Sequence, residues 1–307
     1  MIKRESTQHQ TVGVVLLNWN GANLTIACLD SLLRGQRVPE QIVVVDNAST
    51  DGSAEQISSR FNQVKLIRSA ENLGFTGGNN IGINHLLKAG LDYIWVLNND
   101  TEVDKNCLGE LVQFMTAEPD ICGCCGKILY DQPRDKIWYA GATLNVFLLT
   151  AHHRGSLETD HGQYDHTEPT HFITGCSMFV RRTAWESVGL FDESFFAYAE
   201  DFDWSLRARN AGLTLAYLPS AVIYHKVSTS FRKTEHRNDG YTTPLMIKLA
   251  YRNKLYIIKK HSKLLIQKYV CIAMFVSRTI YYSIGLLVLR RFSKLRALWS
   301  GVNEGFK

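Results

Sequence analysis

Short apolar runs alternate with helix-like segments over the first hundred residues, and this alternation limits the folds open to the chain. The runs cover residues 12–17, 42–46, 64–67 and 93–97. A strand that is covered on both faces has such a continuously apolar sequence. Strands joined through helices return in parallel by right-handed crossovers. The sequence therefore predicts an α/β fold with a mixed, mainly parallel sheet flanked by helices.

The pattern changes after about residue 120. Strand-like pieces near residues 121–129, 137–147 and 171–181 are separated by a polar, histidine-rich segment, residues 152–170, which is predicted to be a loop beside a site. A helix is expected from Glu200 to about residue 211, where Gly212 ends it. From about Pro244 the chain is predicted to be helical to its end.

The C-terminal part differs sharply in charge from the rest. The whole chain carries a net charge of +5, yet residues 248–307 hold 13 lysines and arginines and one acid, Glu304. A basic segment joined to a mildly acidic body indicates an anionic partner. These basic residues flank an apolar helix and do not stand among exposed stacking aromatics, so we expect a membrane surface and no nucleic acid.

The apolar stretch of this tail, residues 269–289, is long enough to span a bilayer. Arg278 near its centre makes a lone spanning helix costly. Basic residues on both sides favour a helix that lies in the membrane interface; they are Lys259, Lys260, Lys263 and Lys268 before it and Arg290, Arg291, Lys294 and Arg296 after it. Spanning the bilayer and packing against the protein itself remain the alternatives.

Two features predict a cytoplasmic location. The seven cysteines are odd in number and several lie in apolar runs, which is typical of reduced, buried thiols. The first thirteen residues are polar and lack the apolar core of a signal peptide. We therefore expect a protein of the cytoplasm that binds peripherally to the cytoplasmic face of the cell membrane.

Polar residues follow two of the predicted strands. Asp46 ends the second strand, and Asn98, Asn99 and Asp100 follow the fourth. Ligands of open α/β sheets bind at the carboxyl ends of the strands. A cluster of oxygen ligands at this edge suits Mg²⁺ or Mn²⁺ shared with a diphosphate. Each cluster taken alone is equally typical of a turn.

The glycine-rich segment at residues 72–82 is predicted to be a loop, and residues 77–88 are predicted to pass from this loop into a helix. Glycines allow a backbone to approach phosphates or ribose closely. The segment matches neither the dinucleotide-binding fingerprint nor the phosphate loop that ends in Gly-Lys-Ser/Thr. This mismatch weakens the case for a dehydrogenase or an NTPase.

A third acidic cluster, Glu200, Asp201 and Asp203, stands at the predicted helix start. The helix dipole favours acids there, which is a sufficient structural reason for them. Alternatively, one of them deprotonates an attacking hydroxyl group. His225 ends an apolar run; a single histidine is more often structural, but this one would complete a metal shell with Asp100.

Taken in order, these segments resemble the family 2 glycosyltransferases of the GT-A fold. The resemblance covers about residues 11–230. Within the family, the sequences of these motifs are most similar to those of the rhamnosyltransferase-like branch of bacterial polysaccharide assembly. The matching segments are Val14-Val-Leu-Leu-Asn-Trp-Asn-Gly21, Val44-Val-Asp-Asn-Ala-Ser-Thr-Asp-Gly52, residues 72–82, Leu97-Asn-Asn-Asp-Thr101, Thr174-Gly-Cys-Ser-Met178, Phe191-Asp-Glu-Ser-Phe-Phe196, Glu200-Asp201 and His225.

The resemblance implies roles for these positions. It implies that Asp201 is the general base and that Glu200 beside it orients the acceptor. It implies that Asp100 and His225 ligate the divalent metal. The remaining positions are implied to contact the nucleotide-sugar: Asn18, Asp46, Asn47, Gly77, Gly78, Asn79, Asn98 and Asn99. The sequence departs from the common Asp-x-Asp motif because Asn98 and Asn99 precede Asp100, and fewer charges should weaken the binding of the metal.

The expected reaction is an inverting transfer of a sugar, rhamnose in this branch, to a glycan or lipid-linked acceptor in cell-surface polysaccharide synthesis. The donor is expected to be dTDP- or UDP-linked. Residues 1–240 would form the catalytic domain and residues 241–307 the membrane-associating tail. A nucleotidyltransferase and a non-catalytic nucleotide-sugar-binding module remain the alternatives.

Overall fold

The computed structural model describes residues 9–226 and 242–307. The first part of the chain contains β1 (Val12–Asn18), α1 (Ala22–Leu33), β2 (Gln41–Asp46), α2 (Ser53–Arg60), β3 (Lys65–Arg68), α3 (Gly74–Ala89), β4 (Tyr93–Leu97), β5 (Thr101–Val103) and α4 (Cys107–Ala117). The second part contains β6 (Ile121–Tyr130), β7 (Ile137–Tyr139), β8 (Ala142–Asn145), β9 (Thr150–His153), β10 (Glu168–Thr170), β11 (Ser177–Arg181), α5 (Arg182–Val188), α6 (Glu200–Asn210) and β12 (Thr214–His225). The tail contains α7 (Pro244–His261), α8 (Leu265–Val288) and α9 (Phe292–Phe306).

One mixed sheet organises the body, in the strand order β10-β12-β6-β11-β4-β1-β2-β3. Strands β3, β2, β1 and β4 run parallel, and β11 enters antiparallel between β4 and β6. The chain builds outward from β1 to β3 and then returns to place β4 on the other side of β1. The carboxyl ends of β1, β2 and β4 therefore meet at a topological switch point, where α/β sheets bind ligands. The predicted mixed, mainly parallel sheet with helices around it is confirmed.

Burial explains why β1, β2 and β4 have nearly continuous apolar sequences. Val14, Val44 and Val96 are fully buried, as are most of their neighbours on the same strands. Helix α3 packs closely on β1, because a Cβ at Gly13 would lie 2.7 Å from the Leu86 side chain. Each fully buried valine or leucine contributes about 1.5–3 kcal/mol relative to its exposed state, so this core fixes the positions of the strand ends.

Three sequence predictions of local structure need correction. Residues 74–82 form the first turns of α3 and are not a loop. The predicted strand at 137–147 is two strands, β7 and β8, which are separated by Ala140 and by Gly141 at φ +89°. The predicted loop at 152–170 contains the end of β9 and all of β10, and buried Lys127 forms ion pairs with Asp160 and Asp165 inside it.

The predicted helical tail is confirmed over residues 244–306. Its three helices share a small core that includes Leu255, Phe275 and Leu298. Ile257 on α7 joins a second cluster with Leu149 and Phe195 of the body. The predicted boundary at residues 240 and 241 lies outside the described residues, as does most of the polar N-terminal segment.

The cysteine prediction holds, since all seven thiols are buried and none forms a disulfide. Burial raises the pKa of the Cys28 and Cys122 thiols to about 12. A thiol with so high a pKa carries almost no thiolate at neutral pH, which excludes these two residues as nucleophiles.

Candidate active site

A buried chain of hydrogen bonds links the ends of β1, β2 and β4. The Asn18 amide donates to Asp46 Oδ1 at 2.8 Å, and the Thr25 hydroxyl donates to Asn18 Oδ1 at 2.7 Å. The Asn99 amide donates in turn to the Thr25 hydroxyl oxygen at 2.8 Å. These hydrogen bonds hold Asn18, Asp46 and Asn99 in one rigid group at the switch point, although the three residues come from separate segments.

A cavity of about 360 Å³ opens beside Asp46. Its walls include the small side chains of Ala48, Ala54 and Ala70 and the polar side chain of Ser49. Asp46 Oδ2 accepts a hydrogen bond from the Ser49 backbone N–H at 3.2 Å. The Asp46 carboxylate therefore stands at the wall of a mainly polar cavity, whose lining also includes Thr50, Glu55, Arg68 and Ser69.

Asp100 and His225 form a second buried pair. His225 Nε2 lies 3.1 Å from Asp100 Oδ1, and both residues are more than nine-tenths buried. Strand β12 pairs antiparallel with β5, which sets His225 opposite Thr101 and next to Asp100. Trp138 holds the imidazole from the side, with its ring edge-on and the ring centroids 4.8 Å apart. The pair is thus fixed by the sheet and by one aromatic neighbour.

This pair fits a hard divalent ion. Two adjacent ligands with metal bonds of about 2.0–2.1 Å in an octahedron stand about 3.0 Å apart, and the observed separation is 3.1 Å. His225 Nδ1 is buried and has no hydrogen-bond partner among the described residues. Within residues 9–226 and 242–307 no group of three or more His, Cys, Asp or Glu side chains could hold a metal. The remaining ligands would have to be water or substrate oxygens, as is usual for Mg²⁺.

Asp201 lies close to this pair on the other side of a short backbone segment. The Gly175 N–H donates to Asp201 Oδ2 at 2.7 Å, and the carbonyl of the next residue, Cys176, accepts from the Asn98 N–H at 2.9 Å. Asn98 begins the turn that carries Asp100. The segment Gly175–Cys176 therefore links the Asp201 carboxylate to the turn that carries Asp100 through two hydrogen bonds.

The two neighbouring acids at the start of α6 are both deeply buried. Burial raises the pKa of Asp201, while the N–H groups of Gly175 and Phe202 and the Thr174 hydroxyl lower it again. Burial and the adjacent Asp201 charge raise the pKa of Glu200 well above its usual range. Glu200 Oε2 has no hydrogen-bond partner in the described part of the chain. The two acids thus differ: Asp201 is hydrogen-bonded by backbone N–H groups, whereas burial favours the protonated form of Glu200 more strongly.

Asp203 does not belong to this pair. It accepts hydrogen bonds from Arg207 at 2.9 Å and from His261 at 2.8 Å, and it forms an ion pair with Lys260 at 2.9 Å. Its side chain has no exposed area. Of the three acids that the sequence brings together, Asp203 ties α6 to the C-terminal tail.

The glycine-rich segment is positioned by packing. A Cβ at Gly77 would lie 2.7 Å from the Leu73 side chain, and a Cβ at Gly78 would lie 2.3 Å from Leu17. Gly78 lets α3 approach Leu17 of β1 closely, whereas Gly77 packs on Leu73 just before α3. The expected contact of both glycines with a donor remains a prediction. Asn79 donates to the Phe75 carbonyl at 2.9 Å, and its Oδ1 has no partner within the described residues.

Asn47 has its amide fully engaged by the protein. It donates to Asn72 Oδ1 at 2.9 Å and to the Gly74 carbonyl at 3.0 Å, and it accepts from the Leu73 N–H at 3.0 Å. The residue fixes the turn before α3, which is a structural role. Its contact with a nucleotide, which the resemblance implies, also remains a prediction.

Sequence reasoning missed three groups that organise the site. Thr25 joins Asn18 to Asn99, Gly175 donates its N–H to Asp201, and Trp138 packs on His225. A signal existed only for Gly175, since its motif was recognised without a role. Thr25 and Trp138 lie in ordinary-looking sequence, and only the fold brings them to the site.

A GT-A fold with a cavity beside Asp46, the buried Asp100–His225 pair and the buried Asp201 carboxylate is the arrangement of a nucleotide-sugar-dependent glycosyltransferase. The chain belongs to glycosyl transferase family 2, whose sequence profile matches residues 13–189.

Two curated relatives transfer rhamnose by name. The chain is 28% identical over 225 residues to an N-acetylglucosaminyl-diphospho-decaprenol L-rhamnosyltransferase of Mycobacterium tuberculosis; this match covers 66% of the chain and 72% of the relative. It is 24% identical over 254 residues to the dTDP-rhamnosyl transferase RfbF of Shigella flexneri, which covers 82% of the chain and 81% of that protein.

Solved structures support the fold alone, because their identity to this chain is low. S. aureus TarS residues 1–349 in complex with UDP-GlcNAc superposes with a TM-score of 0.59 at 16% identity, covering 96% of this chain and 81% of that one. GalNAc-T7 with UDP, GalNAc and Mn²⁺ gives a TM-score of 0.58 at 16% identity, covering 84% of this chain and 52% of that one.

Proposed function

We propose that the protein is an inverting glycosyltransferase that transfers rhamnose from a dTDP-linked donor to a lipid-linked or glycan acceptor in cell-surface polysaccharide synthesis. One observation carries the proposal: Asp201 is bonded to Gly175, and the turn that carries the Asp100–His225 pair is bonded to the next residue, Cys176. This arrangement suits a reaction in which a leaving group is stabilised on one side while a hydroxyl group is deprotonated on the other.

Different residues of the chain have different roles in this reaction. The Asp46 carboxylate accepts the N–H of the base at the wall of the cavity. Asp100 and His225 hold a divalent ion, which when bound neutralises charge on the departing diphosphate. Asp201, which accepts a hydrogen bond from the Gly175 N–H, takes the proton of the acceptor hydroxyl as the oxygen attacks the anomeric carbon. A single displacement inverts the configuration at that carbon.

The choice of sugar is supported by the rhamnosyltransferase activities for which the two relatives are named. Thymine and uracil present the same N–H to Asp46, so this contact does not select between dTDP and UDP. The test is a panel of nucleotide-sugars with and without Mn²⁺, in which dTDP-rhamnose should release dTDP and raise the melting temperature most. Release of pyrophosphate from a nucleoside triphosphate would instead indicate a nucleotidyltransferase, and binding without turnover of any donor would indicate a binding module.

We further propose that the tail lies in the surface of an anionic membrane. Helix α8 is long and apolar enough to cross a bilayer by length and composition. Its buried residues form one stripe with spacings of three or four, and several of them join the core shared with α7 and α9. They are Gln267, Cys271, Phe275, Thr279, Ser283 and Leu286. Because this stripe is already packed against protein, one-sided contact with lipid is favoured over a lone spanning helix.

The remaining faces of α8 expose large apolar side chains, including Ile266, Tyr281 and Val288. Lys263, Arg290 and Arg296 are exposed at its ends, whereas Lys260 is paired with Asp192 and Asp203, and Lys294 is buried. Basic groups around an apolar face complement anionic headgroups. Contact with lipid would therefore use fewer of the basic residues than the sequence indicates.

Sedimentation with vesicles tests this placement. The protein should sediment with vesicles that contain phosphatidylglycerol. With neutral phosphatidylcholine vesicles at moderate salt it should stay in the supernatant. The variant Val288→Glu, on the exposed face, should lose this binding without a change in melting temperature. A stable dimer in the absence of vesicles, which Val288→Glu dissociates, would show instead that a second copy covers the face.

A further inference from the structure

The C-terminal helix α7 reaches the segment that precedes the two buried acids. Asn253, which is fully buried on α7, directs its amide at three backbone carbonyls, those of Phe195 at 3.1 Å, Ala197 at 2.8 Å and Tyr198 at 2.6 Å. Arg252 beside it donates to the Phe195 carbonyl at 2.6 Å. Glu200 begins α6 only two residues after Tyr198. One tail residue therefore holds the connection into the catalytic helix.

This connection needs support because its backbone is unusual. Phe196, Tyr198 and Ala199 have φ values of 61°, 70° and 70°, a region that side chains with a Cβ rarely adopt. Such a conformation persists only where the surroundings enforce it. The carbonyls that the turn exposes in this conformation are the ones that the Asn253 amide binds. Without these donors the positive-φ conformation of the turn would lose its main stabilising contacts.

The same segment also contacts the start of α3. The Phe196 carbonyl accepts the Thr76 N–H of α3 at 3.1 Å. A Cβ at Gly74, the first residue of α3, would lie 2.3 Å from this carbonyl oxygen. The turn is thus enclosed between α7 on one side and the start of α3 on the other. Because Glu200 and Asp201 follow the turn directly in the chain, its position sets theirs.

Asp203 supplies a second attachment of α7 to the catalytic helix. It lies two residues after Asp201 and is held by Lys260 and His261 at the end of α7. Asn253 and this ion pair therefore fasten α7 to the residues before and after the acids. The tail is built against the catalytic residues as well as against its own core.

We propose that Asn253 is a positioning residue, which sets the placement of Glu200 and Asp201 for transfer by holding the 195–199 turn. The inference rests on the proposed function, since it assumes that these acids carry the chemistry. It assigns to the tail a role in catalysis that is separate from membrane binding. A shift of about 1 Å in a reacting group can cost about 100-fold in rate, so loss of this support should act mainly on kcat.

The test compares Asn253→Asp with a matched variant, Gln267→Glu. Each exchange keeps the shape of a buried tail amide and removes the NH₂ group that binds backbone carbonyls. Gln267 is the suitable control because its amide binds the carbonyls of Val146 and Phe147, far along the chain from the acids. Asn253→Ser, which keeps one donor, serves as the conservative variant.

Release of dTDP from dTDP-rhamnose gives the kinetic result. Asn253→Asp should lower kcat about 10- to 100-fold with donor KM changed less than about twofold, Asn253→Ser should be intermediate, and Gln267→Glu should remain near wild type. Hydrogen exchange, measured without substrate, should become faster at residues 196–203 in Asn253→Asp alone. Equal losses of kcat in Asn253→Asp and Gln267→Glu, or unchanged exchange at residues 196–203, would overturn the inference.

The Asp201→Asn variant separates this inference from the proposed function. If Asp201→Asn keeps near-normal turnover, the proposed base is wrong. If Asp201→Asn is inactive while Asn253→Asp behaves like Gln267→Glu, only the positioning role of Asn253 is lost.

Discussion

His225 Nε2 lies 3.1 Å from Asp100 Oδ1, although 125 positions separate the two residues in the sequence. The contact exists because β12 pairs with β5 and ends beside the turn after β4. Both side chains are buried, so protein contacts fix their positions. The pair brings one carboxylate oxygen and one imidazole nitrogen to a spacing that an octahedral ion requires.

Asp100→Asn should therefore remove the effect of Mn²⁺ on nucleotide binding. A ligand stabilises the protein according to its affinity, so the Mn²⁺-dependent part of the rise in melting temperature with dTDP should disappear. The part seen with dTDP alone should persist. Glu102→Gln is the control, since Glu102 lies on β5 but is paired with Arg134. An unchanged Mn²⁺ effect in Asp100→Asn would argue against this metal site.

Asp201→Asn should lower kcat about 10²- to 10⁴-fold, the usual contribution of a general base. Donor binding should be preserved, because Asp201 lies on the acceptor side of the Gly175–Cys176 segment in the proposed mechanism. Glu200→Gln should have a smaller effect, since burial already favours the protonated form of Glu200. Steady-state kinetics and thermal shift with dTDP measure the two properties separately. A larger loss in Glu200→Gln than in Asp201→Asn would reverse the assigned roles.

The pH dependence of kcat should report the state of Asp201. Burial raises its pKa above 3.8 in the folded protein, and the base must be ionised, so kcat should fall as the pH drops through this raised value. The Thr174 hydroxyl lowers the same pKa, so Thr174→Ala should move the acidic limb of the profile to higher pH. Thr116→Ala, whose hydroxyl bonds to Val112 within α4, should leave the profile unchanged. A limb that does not move in Thr174→Ala would mean that another group controls it.

Asp203→Asn should destabilise the protein at neutral pH. The hydrogen bonds from His261, Lys260 and Arg207 outweigh burial and lower the Asp203 pKa from 3.8 to about 2. This shift corresponds to about 2 kcal/mol of stability, present above pH 3.8 and lost as the pH falls through about 2. Urea unfolding of the two proteins at pH 7 and at lower pH values should show a gap that narrows on acidification. A gap independent of pH would show that the charge on Asp203 does not matter.

Gly74→Ala and Gly109→Ala should have opposite effects. Gly74 has a φ of +69° and has no room for a Cβ beside the Phe196 carbonyl, so alanine should lower both stability and kcat. Gly109 lies inside α4 with nothing within 4 Å of its Cβ position, so alanine should stabilise the helix by about 0.5–1 kcal/mol. Thermal melting of both variants is the measurement. A stabilised Gly74→Ala variant would contradict the close packing of α3 on the 195–199 turn.

The strands of the sheet were predictable because each is buried on both faces, which leaves little freedom in its sequence. The runs that became β1, β2 and β4 were predicted to within one residue, and the polar residues at their ends were recognised. Residues 74–82 were misread as a loop, because four glycines favour a loop when only local propensity is considered. In the fold Gly78 and Gly82 allow the helix to pack closely on β1, and Gly74 leaves room for Phe196. Tertiary contact therefore overrides the local preference.

The sequence by itself determined the α/β architecture, the helical basic tail and the residue types at the strand ends, because burial and periodicity act over a few neighbouring residues. Only the tertiary structure decided that Asp203 ties α6 to the tail while Asp201 binds the Gly175 N–H, and that Asn253 binds the turn before them. Those roles depend on partners 26 to 58 positions away, and no local pattern encodes which distant group a side chain will meet.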